Sequence, residues 1–180
     1  MDAGRFSPVR SLEDLERAAG APNMSKIRVF VSFDIEHDRE LYELLLEQSR
    51  TSGSFFAVSG GSERFTATDV WSERVRRRIR EADQVIVICG EHTDASMGVF
   101  TELRIAQEER KPYFLLWGRR EITCTKPAGA KSLEGMYSWT SQILQDQITL
   151  MTRKAHWETT ASGMKRPRTP ERSGDRIPIL

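Results

Sequence analysis

The sequence predicts an α/β fold, a doubly wound parallel sheet of four to five strands in a single domain. Two observations carry this. The stretch from Gln84 to Gly118 reads as strand, helix, strand, and the same alternation precedes it from Ile27 onward. Val85-Ile86-Val87-Ile88-Cys89 is too short for a helix and rich in β-branched residues, as expected of a central strand buried on both faces. Gly90 breaks the strand, and Thr93, Asp94 and Ser96 offer oxygens to cap a helix in which Val99, Leu103 and Ala106 form a core-facing stripe. Pro112 ends that helix, and Tyr113-Phe114-Leu115-Leu116-Trp117 is the next strand.

Upstream, Ile27 to Phe33 reads as the first strand and ends in the polar group Asp34, Glu36, His37, Asp38. A helix is expected from about Asp38 to Ser49, with Leu41, Leu44, Leu45 and Gln48 on one face. Phe55 to Val58 is a short second strand, and Ser59-Gly60-Gly61-Ser62 reads as a flexible loop. The second helix starts near Thr68 or Asp69 and carries Trp71, Val75 and Ile79 inward. Its arginines, Arg74, Arg76, Arg77, Arg78 and Arg80, read as a solvated face balanced by Glu73 and Glu81, since no interleaved aromatics accompany them.

Downstream, the stretch 119–133 is a loop region, and Met136 to Trp139 is either a fifth edge strand or the start of the last helix. Ser141 to Met151 has apolar residues at helical spacing. This divides the chain into an extension over 1–25, in which 12–19 form a short appended helix or are disordered, a folded domain over 26–151, and a basic, proline-containing tail over 152–180 expected to be disordered.

Composition excludes several functions. The net charge of +1 gives no global field for nucleic acid or an anionic membrane. No apolar run approaches the roughly 20 residues of a membrane span, and no secretory signal pattern opens the chain. Cys89 and Cys124 lack CxxC or histidine partners at metal spacing, so the expectation is no metal and a reducing, cytoplasmic setting.

Chains with this alternation adopt the flavodoxin-like strand order 2-1-3-4-5, which opens a crevice between strands 1 and 3. Its expected lining is Ser32, Phe33 and Asp34 from strand 1 and Gly90 to His92 after strand 3, with Glu102 following at the start of the third helix. Strand 3 ends in Cys89-Gly90 instead of a phospho-acceptor aspartate, and the acidic segment Asp34 to Asp38 would repel a flavin phosphate. No GxxxxGK[ST] loop is present. Glu102 itself has two readings: a catalytic carboxylate, or an acid favoured by the positive end of the helix dipole. Glu109 has nearly the same azimuth, so direction alone does not single out Glu102, but its place near the helix start, at the edge where ligands bind, does.

Lys26-Ile27-Arg28-Val29-Phe30-Val31-Ser32-Phe33 resembles the first strand of TIR-like domains, and the glycines after strand 2 stand where their BB loop lies. With Trp71, the Val85–Gly90 strand and Val99-Phe100-Thr101-Glu102-Leu103, the stretch 26–151 is most similar to the bacterial TIR-like proteins of Thoeris-type anti-phage defence. The resemblance implies a signalling enzyme that consumes NAD⁺ as substrate, needs no further cofactor, and yields ADP-ribose or a cyclic ADP-ribose signal for a downstream effector. It implies Glu102 as the catalytic carboxylate and Ser32, Phe33, Asp34, Trp71 and Gly90 as substrate-binding positions. It further implies a homo-oligomer assembled through the loop after strand 2, Ser59 to Arg64. One position departs: relatives often carry a tryptophan four residues before the glutamate, where this chain has Gly98 and only Phe100 or Trp71 nearby to substitute. The rival reading is a non-catalytic TIR-like scaffold that recruits a partner through the same loops.

Overall fold

The structure, a computed structural model, describes residues 26–163. The expectations for 1–25 and for the end of the tail beyond 163 lie outside the described residues. In chain order the elements are β1 (Ile27–Ser32), α1 (Arg39–Arg50), β2 (Phe56–Gly61), α2 (Asp69–Glu81), β3 (Gln84–Cys89), α3 (Met97–Glu108), β4 (Tyr113–Trp117), β5 (Met136–Ser138) and α4 (Ser141–Gly163). The five strands form one sheet in the order β2-β1-β3-β4-β5, every pair parallel. This is the expected doubly wound order, and Met136 to Ser138 resolves as the edge strand.

Strand alternation sorts the core into two layers. Phe30, Val85, Val87, Cys89 and Leu115 face α2 and α3, where they meet Trp71, Val75, Ile79, Val99, Leu103 and Ala106. Val29, Val31, Ile86, Ile88, Phe114 and Leu116 face the other way, against Leu41 and Leu45 of α1 and Leu144 and Ile148 of α4. All six residues of β3 are buried, as a strand covered on both faces requires. Parity places Ser32 on the Phe30 face, toward α3, and that direction decides what the serine can reach.

Three expectations change. First, Gly60 and Gly61 are not a loop: they pair with Phe30 and Val31 as the end of β2. A Cβ on Gly61 would lie 2.6 Å from the Tyr42 ring, and one on Gly60 would crowd Arg78 and Phe30 at 3.2–3.3 Å. The glycines therefore serve close packing rather than flexibility. Second, the inward face of α1 is Leu41, Leu45 and Ser49, while Leu44 is 52% exposed. Third, α4 does not stop at Met151 but runs on to Gly163. No proline interrupts 152–163, and Lys154, Ala155 and Glu158 favour a helix. The side-chain amide of buried Gln84 donates to the Ile148 carbonyl at 3.1 Å and ties α4 to the start of β3. No helix among the described residues is long and apolar enough to cross a membrane.

The arginines of α2 do find acids, though mostly not those on their own helix. Arg76 bridges Glu108 and Glu109, Arg80 binds Glu109, and Arg74 binds Glu63 at 2.7–2.8 Å. The expected Glu73 reaches Arg76 only at 3.6 Å.

Candidate active site

α3 runs antiparallel to the strands, so its first turns lie at the carboxyl edge of the sheet, where ligands bind in doubly wound folds. A 3₁₀ turn over Thr93–Ala95 precedes it, and the Thr93 hydroxyl accepts from Gly90 N–H at 2.7 Å. The side chains expected as caps make no cap bond at Ser96. Glu102 begins the second turn and is fully buried, with 0% exposure.

Two hydroxyls grip one of its oxygens. Ser32 at the end of β1 and Ser62 just past β2 both donate to Glu102 Oε2 at 2.6 Å. The Ser62 hydroxyl in turn accepts from Phe33 N–H at 2.9 Å, so the strand ends and the carboxylate form one chain of hydrogen bonds. Glu102 Oε1 is buried with no partner among the described residues. Burial pushes the Glu102 carboxyl up to about 7, against the opposing pull of Ser32, Ser62 and the more distant Arg78. The group thus lies near the midpoint of its titration at neutral pH, where a carboxyl serves as acid or base.

In front of Ser62 opens a cleft of about 560 Å³, lined by Phe33, Asp34, His37, Arg64, Phe65, His92 and Met97, among others. Glu102 is not in its lining: Ser62 separates the cleft from the carboxylate. A cavity of about 600 Å³ at the opposite edge of the sheet, under Tyr113 and Tyr137, contains none of these groups.

The site residues expected from the sequence fall into three sets. Ser32 touches Glu102 directly. Phe33 and Asp34 line the cleft; Phe33 stacks on Tyr42 with ring centroids 4.7 Å apart. Trp71 and Gly90 do not face it. Trp71 is 1% exposed and belongs to the core under α2 and α3, so it can meet no ligand. Gly90 makes room for Asp38, since a Cβ there would lie 2.2 Å from both oxygens of that carboxylate. Asp38 is itself buried, 3.4 Å from Arg119, and burial raises its pKa against the pull of Arg119. It plugs the expected crevice between β1 and β3, and the open cleft is displaced toward β2.

The aromatic missing at Gly98 is also accounted for. A Cβ at Gly98 would lie 3.5 Å from the Cβ of Phe65, whose ring leans edge-on against Trp71 at 4.9 Å. Phe65 therefore stands where a larger residue at position 98 would project, and it lines the cleft. Phe100, the other expected substitute, turns instead toward Gly129. Read from the sequence, Ser62 is only part of the loop after strand 2, and Phe65 has no role. The spacing of a serine and a phenylalanine forty and thirty-seven residues from Glu102 carries no signal until the chain is folded.

No group of three or more His, Cys, Asp or Glu among the described residues could hold a metal ion. Cys89 and Cys124 are both free, and burial pushes the Cys89 thiol up to about 12, which leaves it inert.

A five-strand parallel sheet in this order is the flavodoxin-like arrangement to which TIR-like domains belong. Residues 30–120 match the family model described as Thoeris protein ThsB, TIR-like domain. The chain belongs to that family, and so to the TIR proteins of Thoeris anti-phage defence. No curated protein matches it.

Proposed function

We propose that this domain cleaves the nicotinamide–ribose bond of NAD⁺, with Glu102 as the carboxylate that stabilises the developing ribosyl cation. One observation carries the reading: a fully buried glutamate, gripped on one oxygen by two serine hydroxyls and unpartnered on the other. A structural glutamate in such a place would satisfy both oxygens, because an unmade hydrogen bond on a buried polar group costs roughly 1–3 kcal/mol. The free Oε1 suits a ribose hydroxyl or the positive charge that builds on C1′ as the bond stretches. Nicotinamide leaves as a neutral molecule and needs no proton, so one carboxylate suffices where ordinary glycoside hydrolysis uses two. Phe65 offers a flat face in the cleft for an aromatic ring. Ser62 and the segment through Phe65 must shift for a substrate to reach Oε1. Assembly through that segment, the expected subunit contact, would couple oligomer formation to exposure of the carboxylate. Attack by water gives ADP-ribose, and attack by a group of the same nucleotide gives a cyclic signal for an effector.

The test is nicotinamide release from NAD⁺ by the full chain, at high protein concentration and with a crowding agent. Glu102→Gln should lower it by about 10²–10³. Unchanged turnover in that variant removes Glu102 from the reaction. The complete closure of Glu102 favours a second reading, a TIR-like scaffold that recruits a partner and consumes no NAD⁺; wild-type protein that releases no nicotinamide under any of these conditions supports it.

A further inference from the structure

Resting on the NAD⁺ reading, the geometry points to a second functional group in the cleft: His37, oriented by Asp34, is the general base that takes the proton from whatever attacks the ribosyl carbon. Asp34 Oδ2 lies 2.9 Å from His37 Nδ1, and Asp34 Oδ1 accepts from the Glu36 N–H at 3.0 Å. A carboxylate can only accept, so Nδ1 is the protonated nitrogen and the lone pair of the neutral ring is on Nε2. Among the described residues Nε2 has no hydrogen-bond partner. The ring is half-exposed, lines the same cleft as Ser62, and packs against His92 with centroids 4.5 Å apart. A carboxylate holding one nitrogen of an imidazole that lines a cleft, with the other nitrogen unpartnered, is the arrangement of an activating base.

The chemistry left undone by Glu102 is the second half of the reaction. As the C1′–nitrogen bond breaks, its electron pair returns to the pyridinium ring and neutralises it. A lone pair on the acceptor oxygen then forms the new bond to C1′, and the acceptor proton passes to His37 Nε2, from which it is lost to water. Without a base, capture by the acceptor slows and more of the cation is recaptured by nicotinamide, re-forming NAD⁺.

The charged groups around the ring support basicity. Asp34 first, then Asp38 and Glu36, hold its pKa above the ordinary histidine range. From outside its own segment, Arg119 binds the His37 carbonyl at 3.1 Å and pairs with Asp38 and Glu40, and Arg64 pairs with Glu36 at 3.2 Å, so each cation is matched by a carboxylate. His92 is the remaining titratable neighbour.

The experiment separates the two halves of the reaction. Isotope-labelled nicotinamide is added to full-length protein with NAD⁺, and two quantities are followed: label exchanged into NAD⁺, and product formed by the acceptor. His37→Asn keeps a donor toward Asp34 and lacks Nε2. It should lower product formation by about 10²-fold while exchange persists. In wild-type protein the product-to-exchange ratio should rise with pH as His37 loses its proton, and in the variant that dependence should vanish. Glu102→Gln should lower product and exchange together. Equal loss of both in His37→Asn, or loss of neither, overturns the role of His37 and leaves the Glu102 reading intact. Wild-type protein showing neither product nor exchange overturns the NAD⁺ reading and His37 with it.

Discussion

Glu102 lies in α3 and Glu109 caps its C-terminal end two turns later, at almost the same angle about the axis. Glu109 meets Arg76 and Arg80 at 2.7–2.8 Å, and the hydrogen bonds from Arg80 and then Arg76 hold its carboxyl down to about 2. Glu102 meets two neutral hydroxyls and no cation in contact, and burial drives its carboxyl up to about 7. Identical side chains are thus driven in opposite directions by what each meets at its place along the axis. The lower end of α3 faces the arginines of α2; the upper end faces the carboxyl edge of the sheet. Glu109 is an ordinary ion-pair partner, and Glu102 is kept in an environment that disfavours its charge. Carboxylates left in that condition are expensive to keep, which is why they concentrate at functional sites.

The contrast can be broken most directly by activity. Glu102→Gln should lower nicotinamide release by about 10²–10³, whereas Glu109→Gln should leave it unchanged. Equal effects of the two variants would erase the distinction. Next in size is the pH dependence of stability. The folded-state pKa of Glu102 is raised from 4.5 to about 7, so between those values the native state binds more protons than the unfolded chain. Stability contributed by the protonated form is full below about pH 4.5 and is lost as pH rises through about 7, a change of about 3 kcal/mol. Denaturant titrations of wild type and Glu102→Gln across pH 4–8 should diverge by that amount, the wild type weakening toward alkaline pH. Parallel curves would mean that Glu102 is not buried as described.

Ser62→Ala sharpens the same comparison by removing one of the two hydroxyls that favour the ionised form. The midpoint of that pH-dependent loss should move upward by about one unit. A downward shift would show that the serine stabilises the neutral acid. Smallest of all, Glu109→Gln should lower the melting temperature slightly, by an amount that shrinks in high salt, because its partners are surface arginines. A loss insensitive to salt would place that cluster in a drier setting than its exposure suggests.

The sequence carried the sheet order, because buried β-branched runs and amphipathic helices alternate along it without interruption. It carried Glu102 as a candidate through its place near the start of a helix, which set it apart from Glu109 at the same azimuth further along. What each of them meets is set by groups 29 to 70 residues away, which no local periodicity encodes. The glycines at 60 and 61 were misread for a related reason. Glycine marks both loops and close approach, and only the Tyr42 ring and the Arg78 side chain show which applies here. The inward direction of Trp71 is legible in its helical spacing and holds, whereas the substrate contact that the resemblance implies does not, because the residue lies in the core under α2 and α3. Asp38 gave no sign that it would fill the mouth beside Gly90, since that contact crosses from one strand end to another.

One irregularity in β2 has a further consequence. Val29 pairs with Val58 but Phe30 pairs with Gly60, so Ser59 is an extra residue, and its hydroxyl donates to the Val29 carbonyl at 3.2 Å. In an unbroken ladder every later residue of β2 would advance by one place, about 3.3 Å, and turn to the opposite side of the sheet. The serine now above Glu102 would face α1, and Gly61, which has no hydroxyl, would take its place. That single unpaired residue therefore acts as a counting device: it sets the phase of the strand so that a hydroxyl, and not bare backbone, arrives over the acid.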